Sequence, residues 1–378
     1  LTKKNSLTPN PDVIELTIDS LSYNGGRGVG RFEGIVVFVP FTAPGDVIRA
    51  RVREQKPRFW EADLVEILKP SASRRTAPCP VFQRCGGCSW QHVIYAAQIE
   101  QKQKILQDNL RGLKKLGEFE IPPLLAAPEE FGYRNRVQLQ VKGGQYGFFA
   151  KRSRDLVSFK ECLIAEKRIN EAIQSFHPKS DGKVELALTE AGDLRIMEGE
   201  RDSEAALFSQ VNTAQNEALK NEILEFIHVD PDWIMDLYCG SGNLTFPLAE
   251  AFPDKPLLAA EMSRTSVERG KKASGEFPQI RWEAGDVEKV LHKEKPQKGA
   301  GLVILDPPRT GVSKRVVEEL LRLRPQQIVY VSCNPSTFAR DAEALMRPGR
   351  FRLEKVRGLD MFPQTEHVEL IASLCAAT

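Results

Sequence analysis

The rhythm of apolar and polar positions changes twice along the chain. Short β-type runs at 13–17, 35–39, 47–52 and 62–67 are separated by turn residues such as Asn24-Gly25-Gly26 and Pro44-Gly45-Asp46. Evenly spaced short strands of this kind predict a small barrel, which leaves no sheet edge exposed. Over 98–116, Ile99, Ile105, Leu106, Leu110 and Leu113 share one helical face, predicting a helix. Strand patterns return over 131–159, broken at Gly143-Gly144. Runs at 185–188 and 194–197 predict a hairpin around Glu190-Ala191-Gly192-Asp193. From about Phe208 onward strand and helix alternate, as in a doubly wound parallel sheet.

At 378 residues the chain is too long for one ordinary core. It reads as three domains: a small N-terminal β-barrel over 1–72, a β-rich central domain over 73–205, and a Rossmann-like α/β domain over 206–378. The predicted helix 98–116 is expected to pack on the last of these.

The strands of the C-terminal part end in chemistry. Ile328-Val329-Tyr330-Val331 runs into Ser332-Cys333-Asn334-Pro335, the pattern of a buried strand delivering a polar group at its carboxyl end. In open α/β sheets that end faces the ligand crevice, so Cys333 is a candidate nucleophile as well as a candidate apolar filler. A strand reaching Asp236 opens into Gly240-Ser241-Gly242-Asn243, where the backbone can approach a ligand. Another ends in Glu261, 25 residues past Asp236, where a ribose-hydroxyl acceptor belongs. Asp286 ends the next, suited to an adenine amino group, and Asp306 ends a fourth before Pro307-Pro308-Arg309. The glycine run 25–31 is not followed by a helical pattern, so a nucleotide site there is rejected.

Net charge is only +2, so a polyanion-binding surface must be local. It is found over 131–160, where Arg134, Arg136, Lys142, Lys151, Arg152, Arg154 and Lys160 face a single acid, Asp155. Tyr133, Tyr146, Phe148, Phe149 and Phe159 are interleaved. Cations for phosphates and flat rings for bases are what a nucleic-acid surface needs, although an exposed sheet face would look similar. No apolar run approaches a membrane span and the N-terminus is polar, so a cytoplasmic protein without a membrane partner is expected.

Seven cysteines without a secretion signal argue against a disulfide framework. Cys79, Cys85 and Cys88 lie close together, with Gly86-Gly87 letting the backbone fold around a bound ion or cluster. Cys162 is the natural fourth ligand. Structural zinc more often shows two C-x-x-C pairs, and three clustered thiols plus a distant one suit an iron–sulfur cube better.

Two resemblances follow from these residues. "GGRGVGRFEGIVVFVPFTAPGDVIRARV" resembles the TRAM domain, an OB-like RNA-binding module. "FSQVN" (208–212), "DLYCGSGNLT" (236–245), "DPPRTGV" (306–312), "VSCNP" (331–335) and "DMFPQTEHVE" (360–369) together resemble the RNA uridine C5-methyltransferases that make 5-methyluridine. The barrel and cysteine cluster look more like the branch acting on 23S ribosomal RNA, with tRNA the alternative substrate. The resemblance implies a class I methyltransferase domain using S-adenosyl-L-methionine, with a 4Fe-4S cluster on Cys79, Cys85, Cys88 and Cys162. It maps cofactor contacts onto Gln210, Tyr238, Asn243, Glu261, Asp286 and Asp306, and catalysis onto Cys333 and Glu369, with Glu366 the local competitor of the latter. RNA is the implied partner, and no obligate protein partner is. A non-catalytic iron–sulfur RNA-binding protein is the rival from another class; it would have no use for Cys333, Glu369 or the glycine turn. An amino-methyltransferase is a second rival, but its Pro-Pro is followed by an aromatic, where this chain has Arg309.

Overall fold

The computed structural model describes residues 12–178, 180–189, 192–198 and 210–377. Phe208, Ser209, Glu190, Ala191 and the expected domain boundary at 205 lie outside them. The chain divides into two compact units. The first takes the described chain up to Gln101, with Phe148–Phe159 and Pro363–Glu366; the second takes Lys102–Gly147, Lys160–Phe362 and the chain from His367 on.

In the first unit, β1 (Val13–Leu21), β2 (Gly28–Phe32), β3 (Ile35–Val39), β4 (Val47–Gln55) and β5 (Phe59–Lys69) close into a barrel of order β1-β2-β3-β5-β4. Alternation along β1 turns Ile14, Leu16 and Ile18 inward, where they join Val37, Val39, Ile48, Ala50 and Trp60 in one core. The glycine run forms β2. A Cβ at Gly28 would lie 1.9 Å from Thr42 Oγ1 and one at Gly30 would lie 2.3 Å from the Thr17 carbonyl, so both glycines are there for close packing. The Pro44-Gly45-Asp46 turn is held by a fully buried carboxylate: Asp46 accepts from Ala43 N at 2.7 Å, Ser71 N at 3.0 Å and Arg74 at 2.6 Å.

Helix α1 (Tyr95–Leu110) passes from the first unit into the second at Lys102 and continues as a 3-10 turn, Arg111–Lys115. The predicted single helix over 98–116 therefore starts earlier and tightens at its end. In the second unit, β6 (Arg136–Lys142), the first part of β7 (Gln145–Phe149), β9 (Gly182–Leu188) and β10 (Leu194–Glu198) form an antiparallel sheet of order β10-β9-β6-β7. The two-residue β8 (Leu156–Val157) pairs with Phe148-Phe149 in the first unit. Helix α2 (Lys167–Ser175) packs on β9.

The rest of the second unit is a seven-stranded sheet of order β13-β12-β11-β14-β15-β17-β16. Its strands are β11 (Trp233–Leu237), β12 (Leu257–Glu261), β13 (Ile280–Ala284), β14 (Gly301–Leu305), β15 (Gln327–Ser332), β16 (Phe351–Leu359) and β17 (Glu369–Ala376). The helices are α3 (Thr213–Phe226), α4 (Thr245–Ala251), α5 (Arg264–Ala273), α6 (Val287–Lys293), α7 (Lys314–Leu323) and α8 (Pro335–Met346). The first five strands of that order pair in parallel, whereas β17 is antiparallel to both β15 and β16.

Continuous apolar strands have both faces covered. Met235, Leu305 and Tyr330 join one apolar layer with Leu106, Leu110 and Leu113 from α1 and its 3-10 extension. Their neighbours Ile234, Ile304 and Val329 join the opposite layer with Leu219, Ile223 and Phe226 of α3. The polar ends of β11, β14 and β15 are thereby held at one edge of a rigid sheet.

Candidate active site

At the end of β11 the chain turns sharply. Tyr238 has φ +65° and Gly240 φ +58°, the first a left-handed conformation that side chains seldom adopt and that clusters at functional turns. The turn is tied to β12 by Tyr238 N and Cys239 N, which donate to Ala260 O at 2.8 and 3.2 Å. Glu261 then accepts from Gly240 N at 3.3 Å and from Ser263 N at 2.8 Å. Gly242 is required for a different reason: a Cβ there would sit 2.6 Å from the Phe246 ring.

Asp236, Tyr238, Cys239, Gly240, Asn243 and Asp306 are among the residues that line one narrow cleft. Asp236 is fully buried. Its Oδ2 accepts from Thr245 Oγ1 at 2.6 Å, while Oδ1 has no hydrogen-bond partner among the described residues. Burial pushes Asp236 up to about 7, opposed by the Thr245 bond and helped by the nearby Asp306 and Glu261 charges; burial also pushes Asp306 up to about 7. Tyr238 is raised to about 12, by burial first and then by Asp286. A cleft with crowded, underpartnered carboxylates is complementary to a cation, and the open space at the Gly240 Cβ position admits a ligand against the backbone. The donor set therefore fits S-adenosylmethionine, which carries a sulfonium and an ammonium.

Of the other expected cofactor contacts, Glu261 reaches the cleft through Gly240 N, and Asp286 caps α6 by accepting from Glu288 N at 2.9 Å. The Asn243 amide is engaged reciprocally with Asn216, at 2.9 Å in both directions. Gln210 is not among the residues lining the cleft; its carbonyl accepts from Asn135 Nδ2 at 3.0 Å. Two features escape the sequence reading. One is the Asp236 carboxylate, whose signal was an acid inside an otherwise apolar strand. The other is Met262, an apolar side chain 72 % exposed directly after Glu261.

Cys333 sits in the elbow between β15 and α8. Asn334 N donates to Ser332 Oγ at 3.1 Å, and Asn334 Oδ1 caps the helix by accepting from Ser336 N at 3.1 Å. Because β17 runs antiparallel to β15 with Leu370 opposite Ser332, its first residue, Glu369, comes next to Cys333. Glu369 is 4 % exposed and is held well above the usual carboxylate range by burial first, then by Asp306, with Arg309 opposing. Burial pushes the Cys333 thiol up to about 11; Glu369 and Asp306 add to the rise and Arg309 counteracts it. The four side chains thus share one electrostatic neighbourhood. Glu366, by contrast, accepts the Ser89 hydroxyl at 2.6 Å in the first unit.

The cysteine segment belongs to the first unit. Gly87 N donates to Cys85 Sγ at 3.4 Å, and Gly86 N to Phe149 O at 3.0 Å. Burial raises the Cys85 thiol, the Gly87 bond lowers it, and the nearby Cys79 raises it further. Backbone N–H donation to a crowded thiol suits a soft metal centre. Among the described residues, no three His, Cys, Asp or Glu side chains are already gathered to hold a metal ion. Cys162 lies in the second unit, its N–H bonded to Asn170 Oδ1 at 2.8 Å.

The basic stretch is more structural than its composition suggests. Tyr133 is buried, Arg136 lies 3.3 Å from Glu185, and Phe148 and Phe159 stack on each other at 4.7 Å. Lys142, Lys151, Arg152, Arg154 and Lys160 are exposed. No helix among the described residues is long and apolar enough to cross a membrane.

A doubly wound sheet carrying a glycine turn, a following acid and a thiol elbow at one edge defines a methyltransferase scaffold. The TRAM domain model matches residues 12–65, and the tRNA (uracil-5-)-methyltransferase model matches 195–278 and 296–375. An uncharacterized RNA methyltransferase of Bdellovibrio bacteriovorus is 36% identical over 96% of this chain and 94% of its own. The 23S rRNA (uracil(1939)-C(5))-methyltransferase RlmD of Marinomonas is 30% identical over 94% and 93%. The crystal structure of Pyrococcus abyssi tRNA (uracil-54, C5)-methyltransferase with S-adenosyl-L-homocysteine superposes with a TM-score of 0.72, at 25% identity, over 96% of this chain and 100% of that one. The chain belongs to the RNA uracil-5-methyltransferase family. It is an S-adenosylmethionine-dependent RNA methyltransferase.

Proposed function

We propose that the protein methylates carbon 5 of a uridine in 23S rRNA, with Cys333 as nucleophile and Glu369 as the base. The observation that carries the mechanism is the buried Glu369 carboxyl beside the Cys333 elbow, with Arg309 the nearby cation. Carbon 5 of uracil is a weak nucleophile. The Cys333 thiolate adds to carbon 6, and the ring π electrons move toward carbon 5 and oxygen 4, forming an enolate. Arg309 and the start of α8 favour the thiolate against the burial that opposes it. Bound S-adenosylmethionine supplies the methyl group as an electrophile on its sulfonium. Once carbon 5 is methylated, the Glu369 carboxylate removes its proton, the ring double bond re-forms, and the carbon–sulfur electrons return to Cys333.

The target base must leave its stack to reach a sheet-edge pocket. The barrel and the exposed cations near 142–160 are the parts suited to hold the surrounding RNA. Ribosomal RNA is favoured as substrate because RlmD relatives match at 30–31% identity over nearly the whole chain. The likeness to the Pyrococcus enzyme favours tRNA as the second reading. Cys79, Cys85, Cys88 and Cys162 would hold a 4Fe-4S cluster that braces the fold, read out as iron content and a visible absorbance after anaerobic purification. A substrate of this kind puts the enzyme in the cytoplasm.

The test is transfer of labelled methyl from S-adenosylmethionine to unmodified 23S rRNA and tRNA transcripts, offered separately, followed by nucleoside analysis. Label as 5-methyluridine in rRNA alone is expected. Label in tRNA alone would keep the chemistry and overturn the substrate; label in neither would overturn both.

A further inference from the structure

We infer that Asp341 is a positioning residue that holds the loop 306–312 so that Arg309 faces Cys333. The inference rests on the proposed role of Cys333. The loop carries Asp306 and Arg309 and has no regular structure of its own. What fastens it is a carboxylate on α8, only 3 % exposed. Asp341 Oδ2 accepts from Val312 N at 2.9 Å and from the Tyr330 hydroxyl at 2.8 Å. Its Oδ1 lies 2.7 Å from Arg340 Nη2, which also donates to Thr310 O at 2.8 Å. One side chain therefore joins the loop after β14, the helix that follows Cys333, and the strand that delivers Cys333.

The arrangement has no spare room. Gly311 has φ +75°, and a Cβ there would lie 2.2 Å from Asp341 Oδ2, so the loop passes directly over the carboxylate. The Arg309 carbonyl is pinned separately, by Asn334 Nδ2 at 3.2 Å and Thr337 Oγ1 at 3.3 Å. The Arg309 guanidinium, by contrast, has no hydrogen-bond or ion-pair partner among the described residues, although its charge acts on Cys333 and Glu369. The backbone of Arg309 is clamped while its side chain is left available. Charge-assisted bonds to a desolvated carboxylate are strong and directional, so the clamp specifies where that one cation stands.

The charged and titratable groups acting on Cys333 are Glu369 from β17 and Asp306 and Arg309 from the loop. Of these Arg309 alone favours the thiolate. A loosened loop removes that help and moves thiol ionisation to higher pH. The test is the rate of covalent protein–RNA adduct formation against pH, using S-adenosylmethionine and a 23S rRNA transcript made with 5-fluorouridine. Fluorine at carbon 5 cannot leave as a cation, so the methylated adduct persists.

At neutral pH, on the rising limb of that profile, the Asp341→Asn curve should be displaced upward by about one pH unit, with a rate about tenfold lower at pH 7 and RNA affinity unchanged. Arg309→Ala should displace that limb similarly, and the double variant should displace it no further than Arg309→Ala alone. Tyr330→Phe deletes a single oxygen and should give a smaller shift in the same direction, which covers the case where Asp341→Asn folds poorly. An undisplaced rising limb in both Asp341→Asn and Tyr330→Phe, or independent addition of the Asp341 and Arg309 effects, would overturn the inference. A wild-type enzyme that forms no adduct, or a Cys333→Ala variant that does, would overturn the role of Cys333 itself, and with it this inference.

Discussion

Replacing Glu369 by Gln separates the two halves of the proposed reaction, and the structure sets the size of each effect. The amide keeps the shape of a side chain that is 4 % exposed, so the core around β17 should persist. Base catalysis of this kind contributes about 10²–10⁴ in rate, and turnover should fall by that factor. The first half should respond oppositely. The Cys333 thiol, at about 11 against an ordinary 9.0, is ionised in about one molecule in 3,000 at pH 7.5; at 9.0 the share would be about one in 30. Burial is the first cause of that rise and Glu369 the second, so removing the carboxylate recovers part of the difference, up to about tenfold in thiolate. Glu369→Gln should therefore form adduct at least as fast as wild type and then stall. The assay is denaturing gel electrophoresis of enzyme with unmodified rRNA transcript and labelled S-adenosylmethionine. It should show close to one methyl per enzyme retained in a slow-migrating band. A variant that turns over within threefold of wild type would sink the assignment of Glu369. So would one that binds RNA and cofactor yet traps no adduct.

Asp46 offers a test of the barrel. Burial raises its pKa, but the bonds from Arg74, Ala43 N and Ser71 N outweigh that and leave it below the usual value, so its stabilisation is complete above about pH 4 and is lost as pH falls below that. Asp46→Ala should cost about 3 kcal/mol in urea unfolding at pH 7, and the gap from wild type should shrink toward pH 2–3. Asp236 has the opposite sign. Its folded value of about 7 lies above the ordinary 3.8, so the native state holds the extra proton and stability falls as pH rises from about 4 to about 7. Asp236→Asn should flatten the decline of Tm over that window, measured by circular dichroism; an unchanged slope would count against the buried, underpartnered carboxylate. Lys102 and Asp360 form a fully buried pair at 2.5 Å, and Lys102 also donates to Phe362 O at 3.0 Å. Lys102→Met should cost about 3–5 kcal/mol by leaving Asp360 without its charged partner, and Lys102→Met combined with Asp360→Leu should recover part of the loss. Equal stability of the single variant and wild type would refute that reading.

Much of the scaffold was legible because its signals are local. Short apolar runs with an acid at or next to the carboxyl end (Asp236, Glu261, Asp306) mark β11, β12 and β14, and turn residues mark the barrel. Strand β2 was hidden, since glycine is normally depleted in strands and these glycines are needed for a close approach visible only when the barrel is closed. The same holds for 131–160, where composition suggested a surface and packing placed Tyr133 inside and stacked Phe148 on Phe159. Side-chain identity does not say which way a residue points.

By itself the sequence determined the chemistry available: a thiol at a strand end, a glycine turn followed by an acid, and a carboxylate in a motif near the C-terminus. It did so because strand period, turn propensity and functional-group identity are properties of neighbouring residues. Which groups meet was decided by tertiary structure. Glu369 stands 36 positions beyond Cys333 and reaches it only because β17 enters the sheet antiparallel to β15, starting where β15 ends. Asp341 clamps the Arg309 loop only because α8 packs back beside that loop and Tyr330 of β15. Such meetings depend on strand order and register, set by burial of two apolar layers over the whole sheet, a sum that no local stretch of sequence contains.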